Sequence, residues 1–319
     1  MSAPPLTQQD LAGLIPATAT PMKDDFSLDL AALRSYVRWL LGFDGVKALA
    51  VNMDTGEGPH LSREERRQVL EVYADETRGR MPLLAGIAAH YTAEAIELAR
   101  DAASAGASGL VVFPIPAFAG EALPPELPYE YHAAIARATG LPLVLFQFQP
   151  ALGGIVFEAD TLAKLLQIDE VVAIKEASFD RARFDETVRL LAAAPRPIAL
   201  LTGNDNFILD SLLSGADGAL IGFGTVAIAE QVEMIARVKA GDEAGARRID
   251  EAVVTPLAAA LFARPVRNYR ARVKETLRLL GVLPNAVVRP PLLPLDEGER
   301  RAVADALSGL KLAAPVRRR

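Results

Sequence analysis

A closed α/β barrel of eight parallel strands, each followed by a helix and the whole followed by a helical extension, is the fold class this sequence predicts. Three observations lead there. Short apolar runs alternate with longer amphipathic segments through most of the chain, at intervals of about 25 to 30 residues, and strict alternation favours βαβ crossovers. The first run is followed by Pro21-Met22-Lys23-Asp24, where an open doubly wound sheet would carry a glycine-rich phosphate loop. Beyond Gly241 the strand signal stops and only helical patterns remain. The (β/α)8 unit, a TIM barrel, is therefore expected over residues 11–240, with a helical region packed on it over 241–319.

The first apolar run is Leu14–Thr20, stopped by Pro21. Leu30, Leu33, Val37 and Leu40 then recur at helical spacing and predict a helix over 29–41. A strand over 46–51 follows, and the Ser62-Arg63-Glu64-Glu65 start of the next helix reads as a capping box. A third strand over 82–87 precedes an Ala-rich helix from Thr92 to Ala105, closed by Gly106. The fourth strand, 109–113, opens a Pro-rich loop over 114–128 and a helix from Tyr129 to Ala138. The fifth spans 142–146, with a loop over 147–155 and a helix over 158–166. The sixth, 171–175, leads into a helix over 181–193. The seventh, 198–201, has a helical segment over 206–213 behind it, and the eighth, 218–222, a helix over 227–239. Helices over 244–262, 268–280 and 297–310 make up the extension, with a proline-rich crossing at 284–294.

Composition fits a packed globular protein: 51% of the 319 residues are hydrophobic and 23% charged. A net charge of −6 disfavours a nucleic-acid partner, and Arg317-Arg318-Arg319 reads as a solvated tail. With no cysteine there are no disulfides, thiolate metal sites or cysteine nucleophiles. Residues 1–10 lack the pattern of a signal peptide and no apolar run has membrane-spanning length, so a cytoplasmic protein without a membrane partner is expected.

In such barrels the reactive groups sit at the carboxyl ends of the strands. There the chain places Asn52–His60, His90, Gln147 and Gln149, Lys175 and Glu176, Thr202–Asp205, and Gly222–Thr225. Lys175 stands out: only seven of the 34 basic residues are lysine, and this one ends the apolar run Val171-Val172-Ala173-Ile174. Burial disfavours an ammonium and lowers its pKa, and a neutral amine attacks ketone or aldehyde carbonyls. The plain alternative is a strand-end lysine in solvent. Asp54, His60 and His90 are the rim groups able to move protons. They show no close metal-ligand spacing, so no metal is expected, and a metal-dependent hydrolase is the weakest reading.

Thr55-Gly56-Glu57 after strand two, Ile174-Lys175-Glu176 on strand six and Gly203-Asn204-Asp205 after strand seven resemble the dihydrodipicolinate synthase / N-acetylneuraminate lyase family of class I pyruvate-type aldolases. The likeness covers roughly residues 11–310. It implies the barrel, a Schiff-base lysine at Lys175, no cofactor beyond the covalent imine, and a homo-oligomer, dimer or tetramer. Asp54, Thr55, Gln147, Gly203 and Leu220 are the expected substrate contacts, and Glu57 a structural anchor of its loop. The departures are as informative. The family's proton-shuttling tyrosine lies 28 residues before the lysine, where this chain has Gln147, an amide unable to act as acid or base. The synthases' carboxylate-binding arginine falls at Leu152 by the same count, and their tyrosine after strand four is unmatched in Pro114–Phe118. Asp54 replaces a small neutral residue and would repel a bound carboxylate unless protonated, turned away or paired with a cation.

The chain therefore reads as a lyase, aldolase or dehydratase, acting on a 2-keto acid, with an aldehyde as a second partner, and not as a true dihydrodipicolinate synthase. Leu152, Phe118 and Phe148 suggest a partner of low polarity. The alternative is a weak or inactive relative that binds a keto acid as a sensor or partner protein.

Overall fold

The computed structural model of the protein describes residues 6–120 and 122–315. The expectations for the first five residues and for Arg317-Arg318-Arg319 lie outside the described residues.

Eight strands form one parallel sheet: β1 Leu14–Pro16, β2 Leu49–Val51, β3 Leu83–Ile87, β4 Gly109–Val112, β5 Leu143–Phe148, β6 Val171–Ala177, β7 Ala199–Thr202 and β8 Gly218–Ile221. Each pairs with the next from β2 to β8, and β8 pairs with β1. Single parallel bridges, Leu14 to Val46 and Ala17 to Ala50, close the remaining seam. Side chains alternate between two cores because successive strand residues point to opposite faces. Ile15, Val144, Phe146, Ala173, Leu201 and Leu220 fill the barrel interior, while Leu14, Leu143, Leu145, Ile174 and Ile221 meet the helices outside.

A short helix absent from the sequence reading, α1 Gln8–Leu11, plugs the amino-terminal end of the barrel. A methyl group on Gly218 would lie 2.5 Å from the carbonyl oxygens of Leu11 and Gly13, so β8 begins with glycine where this plug abuts it. The outer ring is α2 Leu30–Leu40, α3 Arg63–Thr77, α4 Thr92–Ser104, α5 Glu126–Thr139, α6 Ala159–Leu165, α7 Arg181–Ala192, α8 Ile208–Leu213 and α9 Ile228–Lys239. Asp29 caps α2, and Ser62 with Glu65 forms the capping box of α3. Helix α5 begins three residues before the expected Tyr129, because Pro128 falls in the first turn, where its missing N–H costs nothing. Strands β5 and β6 each run two residues further than expected, since Gln147 pairs with Glu176 and Phe148 with Ala177.

After the barrel come α10 Glu243–Ile249, α11 Thr255–Leu261, α12 Tyr269–Leu279 and α13 Glu297–Leu307. One π-helical turn over Asp250–Val254 joins α10 to α11, where the pattern predicts one uninterrupted helix. The outer core continues across the expected boundary at 240/241 into Val254, Leu257, Leu261, Val273 and Leu277. Helix α12 carries five charges yet is buried from Tyr269 to Leu277. Its charges are matched in pairs: Arg270 with Asp54, Arg272 with Glu299, Lys274 with Glu57, and Glu275 with Arg278. No described helix is long and apolar enough to cross a membrane.

Candidate active site

Lys175 lies on the inward face of β6, between Ala173 and Ala177, with 6% of its surface exposed. The neighbouring strands make the room. A methyl group on Gly203 would stand 2.9 Å from Lys175 Cε and 2.5 Å from Ala177 Cβ, so glycine at the end of β7 is what lets the lysine extend. From β5, the ring of Phe146 lies with its centroid 4.0 Å from Lys175 Nζ. Burial pushes the lysine pKa down to about 8, against the pull of Asp205 and, more weakly, Asp54. The same burial pushes the Asp205 carboxyl up, while the Phe223 backbone N–H, donating at 2.7 Å, holds its Oδ1 in place. Lys175 and Asp205 are thus an amine and a carboxyl of mutually supporting charge in a nearly dry interior.

The next residue on β6, Glu176, points the other way. It accepts from Ser178 N at 3.1 Å and from Asn204 Nδ2 at 2.5 Å, and Gly203 N donates to its backbone oxygen at 2.6 Å. These bonds fix the β7 turn that presents Gly203 and Asp205.

The loop after β2 supplies the opposite wall. Glu57, fully buried in a left-handed conformation, is ion-paired to Lys274 of α12 and accepts from Arg289 N at 2.7 Å. This is the anchoring role expected of it. Asp54 meets the first turn of the same helix: Arg270 Nη2 donates to its Oδ1 at 2.5 Å, and Arg270 Nε to its backbone oxygen at 3.0 Å. The Tyr269 hydroxyl donates to Asp54 Oδ2 at 2.6 Å and lies 3.3 Å from Thr55 Oγ1. The repulsion expected from Asp54 is therefore answered by a cation, the buried guanidinium of Arg270.

Several expected contacts are placed elsewhere. Gln147 faces outward from β5, its amide donating to Thr187 Oγ1 at 3.1 Å and accepting from Phe157 N at 2.8 Å. Counting back from the lysine misses by one residue, and one residue reverses the face of a strand; the side chain that meets Lys175 from β5 is Phe146. Leu220 is completely buried in the interior layer and offers no surface to a ligand. Gly203 acts through the space it leaves around Lys175. His90, with its side chain 78% exposed, hydrogen-bonds Glu94 at 3.2 Å at the start of α4 and lies off the site. His60 is half-buried; burial, and after it the neighbouring Arg270, lowers its pKa, and its Nδ1 has no partner. Phe118 packs on Tyr131 in the outer layer, whereas Phe148 stacks on Phe146 inside the barrel. Among the described residues no three His, Asp or Glu side chains are grouped to hold a metal ion.

Four residues escaped the sequence reading as site members. Asp205 lies in the turn already quoted, and a buried acid facing the lysine was its only signal. Phe146 was hidden by the one-residue miscount. Tyr269 and Arg270 carry no sequence signal, because only the packing of α12 brings them here. Beside them Phe262 stacks on Tyr269 at 4.8 Å and helps line a cavity of about 720 Å³ at the mouth, together with Gln149, Phe179, Asn206, Arg264 and Arg267. A second cavity of about 770 Å³ lies among Phe118, Phe157, Ser178, Asp180 and Arg183, away from the lysine.

A family model described as "Dihydrodipicolinate synthetase family" matches residues 10–310. A 4-hydroxy-tetrahydrodipicolinate synthase of Nitrobacter hamburgensis is 32% identical over 92% of this chain and 95% of its own length. One from Dechloromonas aromatica is 33% identical over 95% of this chain and all of its own, 100%. Among solved structures, the dihydrodipicolinate synthase of Agrobacterium tumefaciens superposes with a TM-score of 0.85 at 29% identity, covering 95% of this chain and 99% of that one. That of Acinetobacter baumannii, complexed with pyruvate, gives 0.81 at 30% identity over 93% and 98%.

Proposed function

The chain belongs to the dihydrodipicolinate synthetase family of aldolase-type lyases, and from that premise we propose that it acts on a 2-keto acid through Lys175 in a reaction other than dihydrodipicolinate synthesis. The observation that carries the proposal is the setting of Lys175: an amine on the inward face of β6, its pKa brought down by burial to about 8, against a phenyl ring. Its nitrogen attacks the ketone carbon, and loss of water leaves an imine whose protonated form draws electrons from the adjacent carbon. That sink serves C–C cleavage or formation and loss of water alike, and needs no further cofactor. Asp205, the strongest electrostatic partner of the lysine, is the counter-ion to the cationic imine. Thr55 Oγ1 is the ligand for the keto acid's carboxylate, and Arg270 neutralises Asp54 beside it.

Two features favour a reaction other than the synthase's, although the curated relatives carry the synthase name. The ring facing the lysine from β5 is Phe146, without a hydroxyl, and the turn Pro150–Leu152 holds no arginine. The mouth cavity carries Arg264 and Arg267 instead. An acceptor or product bearing a carboxylate suits those guanidinium groups better than the apolar partner suggested by Leu152 and Phe148. A homo-oligomer is part of the same reading, from the family likeness alone.

The test is borohydride reduction with pyruvate and longer 2-keto acids, followed by mass analysis. Lys175 gains the mass of the reduced adduct, and Lys175→Met gains none. An unmodified Lys175 with every keto acid rejects the imine, and efficient synthase turnover from pyruvate rejects the restriction. Adducts without turnover on aldehyde and hydroxy-acid panels give the keto-acid-binding protein.

A further inference from the structure

We propose that the hydroxyl of Tyr269, relaying through Asp54 Oδ2, is the proton carrier at the imine of Lys175. The inference rests on the Schiff-base reading above and names the group that this reading leaves open.

Enamine formation requires a group that takes a proton from the carbon next to the imine. Strand β5 offers only the Phe146 ring and turns Gln147 outward. His90 is in solvent, and Asp205 faces the amine as its counter-ion. Of the proton-bearing groups left, His60 and Tyr269, only the tyrosine is hydrogen-bonded to the loop of Asp54 and Thr55. The hydroxyl sits between Asp54 Oδ2, at 2.6 Å, and Thr55 Oγ1, at 3.3 Å, on the loop that holds the keto acid's carboxylate. The end of β8 closes the same space: a methyl group on Gly222 would lie 3.1 Å from both Thr55 Oγ1 and Tyr269 Cε2. The next residue, Phe223, gives the N–H that holds Asp205. Two consecutive residues at the end of β8 thus contact Thr55 and Tyr269 on one side and Asp205, the partner of Lys175, on the other.

The pairing of Asp54 has a chemical use as well. A tyrosine needs somewhere to send its own proton when it accepts another, and Asp54 Oδ2 is an acceptor already in line. In the forward step the C3–H bond of the imine breaks and its proton goes to Tyr269 Oη, while the Tyr269 proton moves to Asp54 Oδ2. The electron pair of the C–H bond forms C3=C2, and the C2=N pair goes to nitrogen, giving the neutral enamine from the cationic imine. The reverse step returns both protons, so nothing is consumed. Arg270, bonded to Asp54 Oδ1 and to its backbone oxygen, keeps the carboxyl aimed at Tyr269 throughout. The stack on Phe262 fixes the ring plane.

Exchange of the methyl protons of pyruvate in D2O, followed by proton NMR, tests this beside borohydride trapping on the same samples. The wild-type protein traps and exchanges. Tyr269→Phe keeps the stack on Phe262 and still gives the Lys175 adduct, but exchange falls by about 100-fold or more, the scale of a lost acid–base group. Asp54→Asn, which cannot take the proton, lowers exchange in the same direction. Exchange by Tyr269→Phe at the wild-type rate overturns the proposal, as does wild-type trapping without exchange. Parallel loss of trapping and exchange in Tyr269→Phe also overturns it, because the residue then only holds the site together. Absence of any wild-type adduct points instead to failure of the Schiff-base reading.

Discussion

At the scale of single residues, the site depends on which way each side chain points. Lys175 and Phe146 lie on inward positions of adjacent strands, with Gly203 directly after the next one, and a shift of one residue would put Glu176, Gln147 and Thr202 in their places. The lysine's reactivity follows from the dryness of that interior. Burial moves its pKa from the ordinary lysine range down to about 8, so the neutral fraction grows as pH rises through that value. The initial rate of imine formation with pyruvate, read by borohydride quenching, accordingly climbs between about pH 7 and 9 and then levels. A lysine in solvent would keep climbing to about pH 10. A rate that is flat across this range would show that the amine is not the titrating nucleophile.

At the scale of elements, α12 does work that its sequence conceals. Tyr-Arg-Ala-Arg-Val-Lys-Glu reads as an exposed face, yet each charge finds a partner in another part of the chain or on the next turn. The Lys274–Glu57 pair, with side chains 1% and 0% exposed, ties this helix to the loop carrying Asp54 and Thr55. Removing one member of such a pair leaves the other charge buried and alone, which costs about 3 to 5 kcal/mol. Lys274→Ala is thus expected to lower unfolding stability by that amount in denaturant titration. The double variant Glu57→Leu/Lys274→Met recovers most of the loss, since replacing both charges with apolar groups is far less costly. A single variant within 1 kcal/mol of wild type would mean that the pair is not structurally coupled.

At the scale of the molecule, the barrel and the helices behind it share one outer core and one site. That predicts a single unfolding event. The only tryptophan, Trp39, lies on α2 and reports the barrel, while far-UV circular dichroism reports every helix including α10 to α13. The two transitions are expected to coincide in denaturant, as two-state unfolding demands. A biphasic dichroism curve with a single fluorescence transition would show that the extension unfolds by itself.

Alternation of apolar runs with helical periods determined the (β/α)8 order, because both periods are local properties of backbone geometry. The same local signals located the capping box of α3 and placed Lys175 on the sixth strand. The resemblance in Thr55-Gly56-Glu57 and Ile174-Lys175-Glu176 added the family. Tertiary structure alone decided what surrounds the lysine. Gln147 was misplaced because spacing along a chain does not register which face of a strand a residue occupies. Leu220 was expected to touch substrate and His90 to stand at the rim, yet one lies in the interior layer and the other in solvent, and burial is set by the closed barrel rather than by neighbours in sequence. Tyr269 and Arg270 lie more than two hundred positions from Asp54. Their approach depends on a helix whose charges are tolerable inside only because partners from distant loops meet them there, and no local pattern encodes that meeting.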